Sequence, residues 1–266
     1  MKVAVAGMGL IGGSLWKAAQ AAGHEAAAIH HGDAAGPIDA DFLFVAMPPS
    51  ATVPWIRGHA ALIRPGCVVM DVCGVKRQIV EGMRDVERAG WLFLPAHPMA
   101  GREKGGFANS TADLFRGASM IVTPGDDFPE AALLAAKALF RSLGFARTVV
   151  TTPERHDEMI AFTSQLCHVI ASAYARDEKV ADAIGFSAGS YANMTRIATM
   201  DPETWADLFL SDADNLARDL DSFIGRMSEY RDAVKAGDKA LLKSLIAEGA
   251  EAKRRELKLR EEGGDV

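Results

Sequence analysis

The chain has 266 residues, of which 49% are hydrophobic and 24% are charged, and its formal net charge is −6. This length favours two domains with a sizeable core, and the acidic balance argues against nucleic-acid or membrane-surface partners, because phosphates and anionic lipids repel an acidic surface. Three widely spaced cysteines without a Cys-x-x-Cys pair argue against a zinc site and fit a reducing, cytoplasmic compartment, and we expect no metal.

The first predicted elements are a short strand over residues 2–6, a glycine-rich turn and a helix that stops at Gly23. This order does not resemble a signal peptide. The turn has the Gly-x-Gly-x-x-Gly spacing of dinucleotide-binding sites, in which the first glycine permits a tight turn, the second lets the backbone approach a pyrophosphate and the third lets helix and strand pack closely. We therefore predict a cofactor-binding turn formed by Gly7, Met8, Gly9, Leu10, Ile11 and Gly12.

Further apolar runs bounded by turn residues predict strands, with helical segments between several of them, over residues 26–29, 42–47, 68–71, 92–96, 120–123 and 148–150. Such alternation predicts an α/β Rossmann-type domain with a mostly parallel sheet and helices on both faces. Only about a dozen residues separate the second strand from residue 42, which is too few for a helix and another strand. We expect a shortened crossover there.

Sites for NAD usually have an acidic residue at the end of the second strand, where it holds the ribose hydroxyls. This chain has His30 and His31 at that point. Without a carboxylate to repel a 2′-phosphate, NADP becomes an alternative to NAD as cofactor. The two histidines could equally be solvated loop residues.

The pattern changes after Pro153, where helical periodicity replaces the strand pattern. We predict a dinucleotide-binding domain over residues 1–152 and an all-helical domain over residues 153–266. Asp201 and Pro202 form a typical helix start, and the predicted helix runs from there to Arg231. A turn at Gly237 precedes the last helix, and we expect fraying of its charged tip, residues 254–266.

His97 is the most informative single residue, because it is predicted on the loop just past an apolar strand, where open α/β sheets present their chemistry. Pro98 restricts its backbone to extended conformations, and Gly101 permits close approach of a ligand. An imidazole with an ordinary pKa near 6.5 is mostly neutral at pH 7 and can accept a proton from a substrate hydroxyl. The alternative is a surface or core histidine without a catalytic role.

Six motifs together make the chain similar to the prephenate/arogenate dehydrogenase family of tyrosine biosynthesis, and they occur in the right order. They are Gly-Leu-Ile-Gly-Gly-Ser at 9–14, Asp-Val-Cys-Gly-Val-Lys at 71–76, His-Pro-Met-Ala-Gly at 97–101, His156-Asp157, Ser-Gln-Leu-Cys-His at 164–168, and Thr-Arg-Ile-Ala at 195–198 continuing to Trp205. The resemblance implies a nucleotide-binding domain, a helical domain that forms a homodimer, and an active site in the cleft between them. It also implies a monofunctional enzyme that oxidatively decarboxylates a small molecule, prephenate or arogenate, with NAD or NADP.

The resemblance further implies roles for individual residues. His97 corresponds to the catalytic histidine, and Arg196 to the arginine that binds a substrate carboxylate. His168 and Ser164 share a helix face and point to the substrate, with Gly101 nearby. Met47, Pro48 and Gly74 are assigned to the cofactor site, and His156-Asp157 to a structural or domain-orienting role. Glu103 and Lys104 are candidates for gating the cleft.

Two positions depart from the family pattern. Gly74 stands where many relatives have a serine that positions the catalytic histidine, and Asn193 stands where some have an aspartate near the arginine. Two other functions remain open from the sequence. One is a β-hydroxyacid dehydrogenase-like reductase, which typically uses a lysine in the helical half, and the other is a non-catalytic dinucleotide-binding redox sensor.

Overall fold

The computed structural model describes residues 1–30, 32, 36–102 and 104–262. Its strands are β1 (Lys2–Ala6), β2 (Glu25–Ile29), β3 (Phe42–Val45), β4 (Val68–Asp71), β5 (Leu92–Phe93), β6 (Ala96–Pro98), β7 (Ser119–Val122) and β8 (Arg147–Val150). Its α-helices are α1 (Leu10–Ala21), α2 (Pro49–His59), α3 (Arg77–Gly82), α4 (Glu130–Ser142), α5 (Pro153–Ile160), α6 (Leu166–Ala175), α7 (Ser190–Thr195), α8 (Pro202–Ser211), α9 (Ala213–Ala236) and α10 (Lys239–Glu262).

The first sheet is five-stranded and parallel, in the order β2-β1-β3-β4-β5. Alternate residues of each strand pack into two different apolar clusters, because side chains along a strand point to opposite faces. In β1, Val3 and Val5 belong to one cluster and Ala4 and Ala6 to the other. Both faces of the sheet are therefore covered, as the predicted Rossmann-type fold requires.

The strand order confirms the shortened crossover. β2 and β3 both pair with β1, one on each side, and the described residues between β2 and β3 contain no helix. Ile38 forms an isolated bridge with Ile63 in this connection. In the described residues, one helix-and-strand unit of the standard doubly wound sheet is thus missing at this connection.

His97 lies within a strand, so its predicted place on a loop is wrong. The predicted strand over residues 92–96 ends at Phe93, and β6 begins a second, three-stranded sheet in the order β6-β7-β8. Pro95 lies between them, and a proline has no N–H to continue a ladder of hydrogen bonds. β6 runs antiparallel to β7 and pairs His97 with Ile121.

The described residues after Pro153 form helices and no strand, as predicted. The predicted continuous helix from Pro202 to Arg231 is wrong, because α8 ends at Ser211 and Asp212 has non-helical angles (φ −134°, ψ 36°). Asp212 is fully buried and accepts a hydrogen bond of 2.6 Å from Arg77. A buried carboxylate needs such a partner, and this pairing accompanies the break in the helix.

By its internal contacts the chain divides into two compact units, residues 1–213 and 214–266. The first contains both sheets and the helices up to α8, and the predicted boundary after residue 152 lies inside it. The second contains α9 from residue 214 and α10, which are joined at Gly237 (φ +65°) as predicted. In the part of the chain that the structure describes, no helix is both long and apolar enough to span a membrane.

Candidate active site

The glycine turn after β1 has the geometry of a nucleotide cradle. Gly7 has φ +90°, and a Cβ atom built on it would lie 2.3 Å from the carbonyl oxygen of Ala46. A Cβ on Gly12 would lie 1.8 Å from the carbonyl oxygen of Gly7, so both positions exclude a side chain. A Cβ on Gly9 would meet no described atom within 4 Å. Gly7 and Gly12 thus form the turn, while Gly9 leaves its outer face open.

Other residues predicted to bind the cofactor follow the carboxyl ends of neighbouring strands. Ala6, Ile29, Val45 and Asp71 are aligned in register at one edge of the sheet. The glycine turn, His30, Met47, Pro48 and Gly74 follow these strand ends, and His31 lies outside the described residues. Met8, Ile11 and Met47 pack against the apolar clusters, and Leu10 begins α1. This edge is where ligands bind in open parallel sheets.

His97 is held by two side chains from α5. Its Nδ1 atom lies 2.9 Å from Nε2 of His156, and Nδ1 of His156 lies 2.7 Å from Oδ1 of Asp157. His156 and Asp157 are buried, whereas His97 is partly buried. Burial lowers the pKa of His97 well below its ordinary value of 6.5, and the neighbouring His156 and Lys76 act in the same direction. His97 is therefore neutral at pH 7.

A buried ion pair is hydrogen-bonded to the backbone just before this histidine. The ammonium group of Lys76 is in contact with the carboxylate of Asp71 at the end of β4, and both side chains are fully buried. The same ammonium group donates a 2.7 Å hydrogen bond to the carbonyl oxygen of Ala96, the residue before His97. Lys76 thus ties β4 to β6, and the pairing satisfies a charge that would be costly if left alone.

Gly74 brings the predicted cofactor turn close to His97. A Cβ on Gly74 would lie 3.9 Å from both Cε1 and Nε2 of the His97 ring and 3.3 Å from Cδ2 of Leu208. The Nε2 edge of His97 therefore faces this glycine, and its Nδ1 edge faces His156. Neighbouring Cys73 is buried, and burial raises the pKa of its thiol to about 12, so it is protonated and serves in packing.

A second group of polar and aromatic side chains includes the predicted substrate residues. His168 on α6 stacks on Trp205 of α8, with ring centroids 3.7 Å apart. Its Nδ1 atom lies 2.8 Å from the carbonyl oxygen of Ser164, which belongs to a π-helical segment, Ala161–Gln165. Such segments are frequent at functional sites. Burial lowers the pKa of His168 and the nearby charge of Arg196 adds to this, although the bond to Ser164 opposes it.

Arg196 begins a short 3-10 turn and is exposed. Gly101 is also exposed, and a Cβ on it would meet none of the described atoms within 4 Å. Helix α8 contributes to both groups, with Trp205 against His168 and Leu208 against the Gly74 turn.

Sequence reasoning missed two features of this site. Trp205 ends one of the sequence motifs, and its stacking on His168 has no signature in the sequence. The sequence predicts a structural or domain-orienting role for His156 and Asp157 at a helix start, and it does not show that both are buried. Their contact with His97 joins residues 59 positions apart, which local patterns do not reveal.

Comparison with known proteins gives matches over most of the chain. A family model described as the nucleotide-binding domain of prephenate dehydrogenase matches residues 11–150, and one described as its dimerization domain matches residues 152–248. A cyclohexadienyl dehydrogenase of Zymomonas mobilis is 28% identical over 222 residues, which is 81% of this chain and 75% of that protein. A prephenate dehydrogenase of Bacillus subtilis is 28% identical over 176 residues, 64% of this chain. The aligned region is 47% of that longer protein.

Among solved structures, the prephenate dehydrogenase of A. aeolicus in complex with hydroxyphenyl propionate and NAD+ superposes with a TM-score of 0.80. The match covers 97% of this chain and 98% of that one, at 22% sequence identity. This similarity confirms the fold: a parallel-sheet nucleotide domain followed by a helical part.

Proposed function

Because the chain belongs to the prephenate dehydrogenase family, we propose that it oxidatively decarboxylates a cyclohexadienol, prephenate or arogenate, to the corresponding phenol in tyrosine biosynthesis. The single observation that carries this proposal is the position of His97. A neutral imidazole lies beside the turn that follows β4, at the sheet edge where the glycine cradle also opens. Such a group can accept the proton of a substrate hydroxyl next to a dinucleotide site.

The glycine cradle fits a nicotinamide dinucleotide, since Gly7 and Gly12 admit no side chain and Gly9 is open on its outer face. The residues that would hold the cofactor are this turn together with Met47, Pro48 and Gly74. When bound, the nicotinamide supplies the hydride acceptor. His30 at the end of β2 carries no negative charge, so a 2′-phosphate meets no repulsion from that position, and NADP is a candidate as well as NAD.

The substrate has two carboxylates, and we assign one of them to Arg196. A guanidinium offers a planar fork of donors that matches a carboxylate. His168 is neutral and keeps Nε2 for the substrate side chain, because its Nδ1 is bonded to the carbonyl of Ser164. His97 accepts the hydrogen bond of the ring hydroxyl and thereby stabilises the positive character that develops on the carbinol carbon.

The enzyme forms a homodimer through residues 153–266, which we treat as one domain because the dimerization-domain model begins at residue 152. Several large apolar side chains on α9 and α10 are exposed in the single chain: Ile224, Met227, Val234, Leu241 and Ile246. Exposed apolar surface of this kind is typical of an interface. Light scattering after size exclusion should give twice the mass of the chain, and a monomer at micromolar concentration would contradict the proposal.

The activity is tested by crossing two substrates with two cofactors. Purified protein is incubated with prephenate or arogenate and with NAD+ or NADP+, and reduced cofactor is followed at 340 nm while 4-hydroxyphenylpyruvate or tyrosine is identified by chromatography. We expect at least one combination to yield both the reduced cofactor and the phenol. If none of the four does so, the proposed function is wrong.

His97→Asn identifies the base in the same assay. Losing a general base lowers turnover by about 10²-fold or more, and we expect little change in the affinity for substrate. His24→Asn is the matched control. His24 lies just before β2, at the end of the strand opposite the cofactor-binding edge, and contacts Ser142 there. Wild-type turnover in His97→Asn would exclude His97 as the base.

A further inference from the structure

The hydrogen-bond chain behind His97 determines which of its ring nitrogens carries hydrogen. Oδ1 of Asp157 accepts from the backbone N–H of Lys76 at 2.7 Å, and Oδ2 accepts from that of Arg77 at 2.8 Å. Burial opposes ionisation of this carboxyl, but the hydrogen bonds from His156 and from these backbone groups lower its pKa. Asp157 is therefore a carboxylate and can only accept hydrogen bonds.

The ionised state of Asp157 then determines the hydrogen positions on the next two side chains of this hydrogen-bond chain, His156 and His97. An accepting Asp157 requires that Nδ1 of His156 carry the hydrogen, since these atoms are 2.7 Å apart. In the neutral form of His156, Nε2 has a lone pair, which accepts from Nδ1–H of His97 at 2.9 Å. Nε2 of a neutral His97 is consequently the unprotonated nitrogen. This is the edge that faces the Gly74 turn, where the hydroxyl of a substrate must be received.

We propose that His156 is a positioning residue that also takes up a proton during the reaction, so that His97 and His156 act as a two-histidine relay terminated by Asp157. This inference rests on the proposed function. As the substrate hydroxyl gives its proton to Nε2 of His97, the proton on Nδ1 of His97 passes to Nε2 of His156. The resulting imidazolium is His156, and it is paired with the carboxylate of Asp157.

The stoichiometry of the reaction is consistent with a relay that holds the proton temporarily and returns it to the substrate. The carbinol carbon loses its hydrogen as hydride to the nicotinamide dinucleotide, and the bond to the ring carboxylate breaks to release carbon dioxide. The electron pair of that bond completes the aromatic ring, and the hydroxyl hydrogen ends on the phenol oxygen. No proton is released overall, so the proton held by the relay must return to the substrate oxygen.

Burial keeps that proton within the relay. His156 is 2% exposed and Asp157 is fully buried, so bulk water does not reach these two members of the relay. The charged groups that face the pair come in neutralising arrangements: Lys76 with Asp71, and Arg77 with Asp157 and Asp212. A positive charge on His156 lies next to the carboxylate of Asp157, whose Oδ1 atom is 2.7 Å from Nδ1 of His156, and this opposite charge stabilises it.

The first test is the tautomer of His97 in the protein without substrate or cofactor. In ¹⁵N-histidine spectra above pH 7 we expect His97 to be protonated on Nδ1 and bare on Nε2. The signals are assigned among the seven histidines by their loss in His97→Asn and His156→Gln. A hydrogen on Nε2 of His97 in the wild-type protein would overturn the inference, and this measurement needs no variant to be active.

The second test separates proton uptake from positioning. In His156→Gln the amide oxygen can still accept from Nδ1–H of His97 but cannot take up a proton, whereas His156→Leu removes both abilities. We expect His156→Gln to retain the His97 tautomer, to keep KM within about threefold, and to lower kcat by about 10- to 100-fold, the scale of lost support to a functional histidine. The acid limb of its kcat profile should shift, because the coupled pair becomes a single titrating group.

The outcomes distinguish this inference from the proposed function. Wild-type kcat and an unchanged pH profile in His156→Gln, beside an inactive His97→Asn, would overturn the relay and leave the proposed function intact. No turnover of either substrate by the wild-type enzyme would overturn the proposed function, whereas the tautomer would still be decided by the spectra.

Discussion

An added methyl group should affect different properties at two glycines of the cradle: protein stability at Gly12 and cofactor binding at Gly9. In Gly12→Ala the new Cβ would lie 1.8 Å from the carbonyl oxygen of Gly7 and 3.0 Å from Cβ of Ala46, so the backbone must move. Overpacking of this kind costs about 1–3 kcal/mol. At about 2–4 °C per kcal/mol for a chain of this size, we expect Tm to fall by roughly 2–12 °C.

In Gly9→Ala the methyl group meets no described atom within 4 Å, and only the poor N-cap tendency of alanine acts, at less than about 1 kcal/mol. The methyl group instead obstructs the bound dinucleotide. Losing one hydrogen bond to a charged phosphate costs about 1.5–3 kcal/mol, so KM for the cofactor should rise about 10- to 150-fold.

The pair is measured by thermal unfolding and by the cofactor KM in the 340 nm assay. Gly249→Ala on α10 is the control, because its site is open and helix propensity predicts a slight stabilisation without any change in KM. A wild-type Tm in Gly12→Ala would refute the packing role of Gly12. An unchanged cofactor KM in Gly9→Ala would refute the role of Gly9 in cofactor binding.

Two further predictions concern charged groups of the site. Arg196→Ala should raise the substrate KM by about 30- to 1,000-fold, with a smaller change in kcat. This range corresponds to about 2–4 kcal/mol for the loss of a charged hydrogen-bonded partner. A KM within about threefold of the wild-type value would assign a structural role to Arg196. Because the pKa of His97 is lower in the folded than in the unfolded protein, its contribution to stability is present above about pH 6.5 and is lost as the pH falls towards the folded value. Urea unfolding at pH 7.5 and 5.5 should therefore show a smaller acid-induced loss in His97→Asn than in the wild type, and equal losses would contradict the depressed pKa.

The parts of the fold that follow from local physics could be predicted from the sequence. Glycine spacing after a strand requires a tight turn at Gly7, and alternating apolar runs require a sheet covered on both faces. The short connection after β2 excludes an additional helix and strand by length alone. These rules act within a few residues, so they can be applied without knowing the tertiary structure.

The features that escaped prediction depend on contacts between distant residues. The helix predicted to pass through residue 212 is interrupted where Asp212 meets Arg77, 135 positions earlier in the chain. The strand predicted to continue to residue 96 is divided at Pro95, and its second part pairs with β7. In both cases the local pattern favours continuation, and the break is accompanied by a pairing with a distant segment, Asp212 with Arg77 and β6 with β7.

The position of Gly74 and the hydrogen bonds of His97 form one arrangement. A general base needs one ring nitrogen anchored and the other available to the substrate. A serine at position 74, as in many relatives, would stand on the Nε2 side of the ring, since even a Cβ there is 3.9 Å from Nε2. With glycine, that side stays open, and the anchor comes from His156 on the Nδ1 side at 2.9 Å. Since Asp157 is in turn fixed by the backbone of Lys76 and Arg77, the orientation of His97 is set by the segment that follows Gly74 rather than by Gly74 itself.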